Sequence, residues 1–225
     1  MFDWFSRQVG TGSTGLQKMQ TEFGEMLDAG CHAFDIASDT FLSGTDPEAI
    51  RDDLFKTDKR INRAERQIRR EIVVHASVHG TTDFPACLVL MSIVKDAERL
   101  GDYAKNIFDL AELAPRAPDG EDRDALVGLR DRICRLMTAC HRIFDAGQKE
   151  EATALIVETK EIEDFCDEKV RALIREPGPS NMALTYVLAY RYFKRVVSHV
   201  RNIASSVVQP VHKLDFTSKI TKREG

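Results

Sequence analysis

The sequence has little of what membrane proteins and most enzymes need. It holds no apolar run near the ~20 residues of a membrane-spanning helix, and Met1 to Gly10 carries no basic-then-apolar leader. Its five cysteines, Cys31, Cys87, Cys134, Cys140 and Cys166, are odd in number and include no CxxC pair. That speaks against a disulfide framework and points to a reducing, cytoplasmic compartment, where a free thiol behaves as a small hydrophobe. A glycine-rich phosphate loop is missing. The six histidines, at 32, 75, 79, 141, 199 and 212, form no HExxH pair and are expected at surface or boundary positions. Ser198 and His199 are neighbours, which a helix points in different directions, so they make no nucleophile pair. A basic excess is lacking too: 32 Lys and Arg stand against 36 Asp and Glu, interspersed, for a formal net charge of −4. Nucleic-acid binding usually shows a basic stripe, so nucleic acid is not an expected partner. Lys213, Lys219, Lys222 and Arg223 form a small basic tail, read as solvated.

What the sequence does carry is helical periodicity, in six segments, with no convincing period of two. The first runs from about Ser13 to Leu42, with Leu16, Met19, Phe23, Met26, Ala33, Phe34, Ala37 and Phe41 at mostly three- and four-residue steps, and Ser43-Gly44-Thr45 breaks it. Asp46-Pro47-Glu48 reads as a cap, a proline in the first turn and an acid beside it. The second helix, with Ile50, Leu54, Ile61, Ala64, Ile68 and Ile72 on one face, stops near His79-Gly80. A third runs from about Phe84-Pro85 to Leu113 and ends at the linker-like 114–120, which holds Pro115, Pro118 and Gly120. Leu126 to Ile143 mark a fourth helix. Leu155 to Leu173 mark a fifth, stopped by Pro177-Gly178-Pro179. A sixth, capped by Ser180, carries Leu184, Val187, Leu188, Val196, Val200, Ile203 and Val207 up to Pro210.

Helices of about 30 residues are about 45 Å long, and long amphipathic helices on short turns pack antiparallel in bundles. The expected fold is therefore all-α: six long antiparallel helices in two tandem three-helix bundles, with a single six-helix domain as the alternative. The boundaries are 1–115 for the first unit, 120–210 for a degenerate second unit, and 211–225 for the basic tail. Arg99-Leu100 and Arg195-Val196 are each followed, seven residues after the arginine, by Asn106-Ile107 and Asn202-Ile203. Falling on the last helix of both halves, the match points to a duplication.

The richest chemistry lies in Lys95 to Ile107. Ile93, Ala97, Leu100, Ala104 and Ile107 form its buried stripe, while Glu98, Asp102 and Asn106, spaced i, i+4 and i+8, line another face. Two carboxylates stacked at i, i+4 repel unless a cation or a base sits between them. Asp58, Asn62 and Glu65 on the second helix converge with them if the two helices are antiparallel. Such an all-oxygen set suits Mg²⁺, Ca²⁺, Mn²⁺ or iron. The competing reading is an acidic face balanced by Lys95, Arg99, Arg63 and Arg66.

Glu98-Arg-Leu-Gly-Asp-Tyr-Ala-Lys-Asn-Ile107 resembles the ERIGDHxxNI signature of the PhoU family, which carries it on the third helix of a three-helix bundle, twice per chain. Asp58 to Glu65 resembles that family's second-helix pattern. The resemblance carries the family's metal-holding E(D)xxxD motif over to Glu98 and Asp102, and less well to Asp58 and Asn62, where an amide replaces the second acid. In the second half Lys194 and Ser198 stand where the acids belong. Glu161, Asp164 and Asp167 remain on the fifth helix, but Lys194 could neutralise them directly, so no second metal site is expected. The resemblance implies a regulator of phosphate homeostasis rather than an enzyme, with no catalytic residues and no organic cofactor. Its implied partners are a sensor histidine kinase and a phosphate transporter subunit, with peripheral membrane association through them, and a homodimer is compatible with this reading. A metal-dependent phosphoester enzyme and a metal-free structural interaction protein are the alternatives.

Overall fold

Six long helices make up most of the described residues of the computed structural model, which are 14–79, 82–114, 117–177 and 181–214. They are α1 (Thr14–Ser43), α2 (Glu48–His79), α3 (Phe84–Leu113), α4 (Gly120–Ala146), α5 (Lys149–Arg175) and α6 (Asn181–Val208), followed by a short 3₁₀ turn at Val211–Lys213. No strand occurs among the described residues. The expected Ser180 cap and most of the basic tail lie outside the described residues.

The stops act where the residue chemistry puts them. Gly44 takes φ +70° after α1 and Gly147 takes φ 63° after α4, the left-handed conformation that costs glycine little. The Asp46 carboxylate accepts the Glu48 backbone N–H at 3.1 Å and opens α2. The end of the linker is pinned by α6: the Tyr186 hydroxyl accepts the Asp119 N–H and donates to the Asp119 carbonyl, each at 3.0 Å.

Helices α1 to α3 pack on one another, as do α4 to α6, and the two groups meet through α3 against α6 and α1 against α4. The apolar stripes merge into one continuous core that runs from Leu16 to Val207. Phe34 of α1 meets Phe193 of α6 edge to face at 5.2 Å, and Phe23 of α1 meets Phe144 of α4 at 4.8 Å. Gly30 lets α3 close on α1, since a Cβ there would come within 3.0 Å of Leu100 Cβ. On α6 the expected stripe is too wide. Leu184 and Leu188 stay exposed at 58% and 41%, because the face from Met182 through Ala189 and Phe193 to Val207 already fills the space against the other helices.

The α3–α6 seam is internally symmetric. The offset of 96 residues that aligns Arg99 with Arg195 also aligns Tyr103 with His199 and Asp96 with Tyr192. Tyr103 and His199, equivalent positions, stack on each other at 5.6 Å. The contact between Tyr103 and Tyr192 at 6.1 Å has its mate in the 2.7 Å hydrogen bond between Asp96 and His199 Nδ1. The duplicated helices thus face each other about a local two-fold, with Asn202 adding a 3.0 Å bond to Asp96 and Arg195 a 3.1 Å bond to the Tyr103 hydroxyl.

Two expectations about side chains change. His75 and His199 are buried rather than at the surface, each beside a carboxylate, Asp83 at 2.8 Å and Asp96 at 2.7 Å; the aspartates make burial of the rings tolerable. Cys87, Cys140 and Cys166 are core residues as expected, but Cys31 and Cys134 are only half-buried, on the α1–α4 seam. The last two share a hydrogen bond that holds the Cys31 thiol below its ordinary range and pushes Cys134 up, whereas burial pushes Cys140 and Cys166 up to about 12. Since the thiolate is the nucleophile, iodoacetamide at neutral pH should alkylate Cys31 first and leave Cys140 and Cys166 unmodified until urea unfolds the chain. Peptide mass spectrometry reads the order, and equal rates at all five thiols would contradict this packing.

Candidate functional site

The acids singled out from the sequence meet across the α2–α3 pair. Gly101 makes the approach close: a Cβ there would lie 3.1 Å from Ile61 Cδ1 and 3.8 Å from Asp58 Oδ1. Antiparallel packing then sets Asp58 opposite Asp102 and Glu65 opposite Glu98, in two pairs along the groove.

Each pair is bridged by a lysine of α3. Lys105 Nζ lies 2.8 Å from Asp58 and 3.1 Å from Asp102. Lys95 Nζ lies 2.7 Å from Glu98 and 3.8 Å from Glu65. Arg99 adds a 3.0 Å contact to Asp102, and Arg69 a 3.1 Å contact to Glu65. Burial alone would lower the Lys105 pKa, but hydrogen bonds to Asp58 and Asp102 outweigh it and raise the pKa above the ordinary lysine value. Asn62 turns its amide back on its own helix, donating to the Asp58 carbonyl at 3.0 Å, so it does not join the acids.

Glu65 and Glu98 are buried, 7% exposed each, and each keeps one oxygen that accepts no well-directed hydrogen bond. Those oxygens, Glu65 Oε1 and Glu98 Oε2, already face the Arg69 guanidinium at 3.1 Å and the Lys95 ammonium at 2.7 Å. The rest of the arrangement does not fit a metal ion either. The carboxylates separate into two pairs with an ammonium group in each, and among the described residues no three acidic, histidine or cysteine side chains gather as a metal ion needs. The i, i+4 repulsion is relieved by bases supplied from the same helix.

The second half repeats the plan with other residues. Lys194, in the place of Glu98, reaches Asp167 of α5 at 2.5 Å and holds that carboxyl below its ordinary range. Ser198, in the place of Asp102, donates to Glu163 at 2.6 Å, and Arg201 pairs with the same carboxylate. Glu163 is 5% exposed and is the acid that sequence reading missed; its position beside Ile162 on a helical stripe was the available signal. Of the acids expected there, Asp164 pairs with Lys160 and Glu161 with Arg132, out on the surface. Tyr186, Tyr190 and Phe193 are buried packing residues, as expected.

By sequence, residues 23–111 match the family described as the PhoU domain, a span that contains most of α3 and Asp58, Asn62, Glu65, Glu98 and Asp102. Among solved structures, the phosphate transport system regulatory protein PhoU from Streptococcus pneumoniae superposes with a TM-score of 0.71 at 16% identity, over 86% of this chain and 93% of that one. PhoU from Pseudomonas aeruginosa superposes with a TM-score of 0.67 at 19% identity, over 92% and 97% respectively. The PhoU fold therefore extends through the second half, beyond the span matched by sequence. No curated protein sequence matches this chain.

Proposed function

We propose that this protein is a regulator of phosphate uptake that works by binding other proteins, not by catalysis. The observation that carries the reading is the PhoU domain at residues 23–111, on a fold shared along nearly its full length with a protein described as a phosphate transport system regulator. In this reading it is cytoplasmic and relays the state of a phosphate transporter subunit to a sensor histidine kinase, repressing starvation genes when phosphate is plentiful. The helices supply continuous faces for such docking. The acid groove supports the non-catalytic part: each carboxylate of Asp58, Glu65, Glu98 and Asp102 already contacts a lysine or arginine, so none stands free as a general base. The same bridges favour a regulator that needs no resident metal.

Deleting the gene should derepress phosphate-starvation genes in phosphate-replete cells, or make phosphate uptake toxic. Transcript levels and labelled-phosphate uptake read the outcome. An unchanged response, also after deletion of every other PhoU-domain gene in the same cell, would overturn the reading.

A further inference from the structure

We propose that α2 is a direct membrane-contact element whose outward ridge lies on a bilayer of anionic phospholipid. Lys56, Lys59, Arg60, Arg63, Arg66 and Arg70 are all exposed. At about 100° per residue they fall within about 60° of Arg63 around the helix axis, a single ridge opposite the buried Leu54, Ile61 and Ile68. Their neighbours Arg69, Lys95 and Lys105 are spent in ion pairs. Among the described residues, none of the six on the ridge pairs with a carboxylate; Arg66 donates only to the Asn62 carbonyl, at 3.1 Å. In a chain with net charge −4 this leaves a concentrated, uncompensated positive line on one face.

The same ridge continues beyond Arg70 with Val74 and Val78, which are 59% and 72% exposed, and Phe84 at the start of α3 is 48% exposed. From Lys56 to Val78 the line is about 33 Å long at 1.5 Å per residue. A cationic shaft ending in bare aliphatic side chains matches a headgroup layer that offers negative charge above an apolar interior. A wholly acidic protein face or a nucleic acid would satisfy the arginines and lysines but would gain nothing at the valines. The inward face of α2 is committed to the core, so the contact is a docking of the folded bundle and not an insertion of the helix. This contact needs no protein partner and stands independently of the regulatory reading.

The test is co-sedimentation of the full chain with vesicles of phosphatidylcholine and with vesicles in which part of it is replaced by phosphatidylglycerol. The wild type should partition onto the anionic vesicles only. Partition should fall steeply between about 0.1 M and about 1 M salt, where the screening length shrinks from about 10 Å to about 3 Å. R63E/R66E/R70E, which alters exposed residues outside any ion pair, should reduce partition at least tenfold at an unchanged melting temperature, and V74D/V78D should reduce it several-fold. Absence of binding to phosphatidylglycerol vesicles would overturn the proposal. So would equal binding by wild type and either variant, or binding of a glutamate-rich helical peptide without binding of vesicles.

Discussion

Phe34→Ala is expected to destabilise the protein by about 3–5 kcal/mol, the range for removing a fully buried aromatic side chain. Phe34 is 0% exposed and sits edge to face on Phe193, an arrangement that adds about 0.5–1.5 kcal/mol beyond burial. In a chain of this size each kcal/mol moves the midpoint by about 2–4 °C, so the melting temperature should fall by on the order of 10 °C. The two rings belong to different halves, α1 and α6. The loss should therefore appear as a shift of a single transition in circular dichroism and calorimetry. A profile in which one half melts early and the other keeps its wild-type midpoint would show that the core is not shared.

Lys95→Met with Lys105→Met should convert the acid groove into a cation site. The wild type, with an ammonium group in each carboxylate pair, should show a melting temperature indifferent to Mg²⁺ and Mn²⁺. Methionine keeps most of the lysine stem but leaves Asp58, Glu65, Glu98 and Asp102 with two fewer positive charges. Without metal, the variant should lose about 1–3 kcal/mol through carboxylates left near one another and partly unpaired. With metal it should recover, because an ion that binds only the folded state adds about 2.7 kcal/mol at a hundredfold excess over Kd. Thermal melts with and without Mn²⁺, beside elemental analysis, read both effects. Wild-type protein that carries stoichiometric metal would show that the lysines move aside and that the groove is a metal centre after all.

How much of this was legible in the sequence differs from element to element. The helices were, because six apolar stripes of period 3.6 were interrupted by Gly44, Gly147 and prolines at the chain's own turns. The meeting of Asp58 and Glu65 with Asp102 and Glu98 was legible too, since antiparallel packing of two stripes fixes which turns face each other. What relieved their repulsion was legible only in part: Lys95 and Arg99 were among the bases expected to balance the face, and Lys105 was not. Lys95 and Lys105 lie at i−3 from Glu98 and i+3 from Asp102, spacings that a helix surface also offers to a solvated pair, and only the approach of α2 decides that they point into the groove. His199 and Asp96 were out of reach for another reason. Their bond spans 103 residues of sequence and two halves, and no local pattern announces a contact of that range. The widths of stripes also mislead where a helix has neighbours on several sides, as Leu184 and Leu188 show.

The local two-fold at the α3–α6 seam makes this chain a homodimer written into one polypeptide. Its interface resembles the isologous kind used by paired subunits, with Tyr103 and His199 on the axis and the Tyr103–Tyr192 contact answered by its mate between Asp96 and His199. Separate identical subunits must mutate in step, since one gene encodes both sides of the axis. Fusion lifts that constraint, so one side can keep Glu98 and Asp102 while the other drifts to Lys194 and Ser198, each set matched to its own partner helix. The paired faces of α3 and α6 are also used up within the chain. Any second molecule of this protein must be met on other faces, and the asymmetry between the halves gives each such partner a distinct side to recognise.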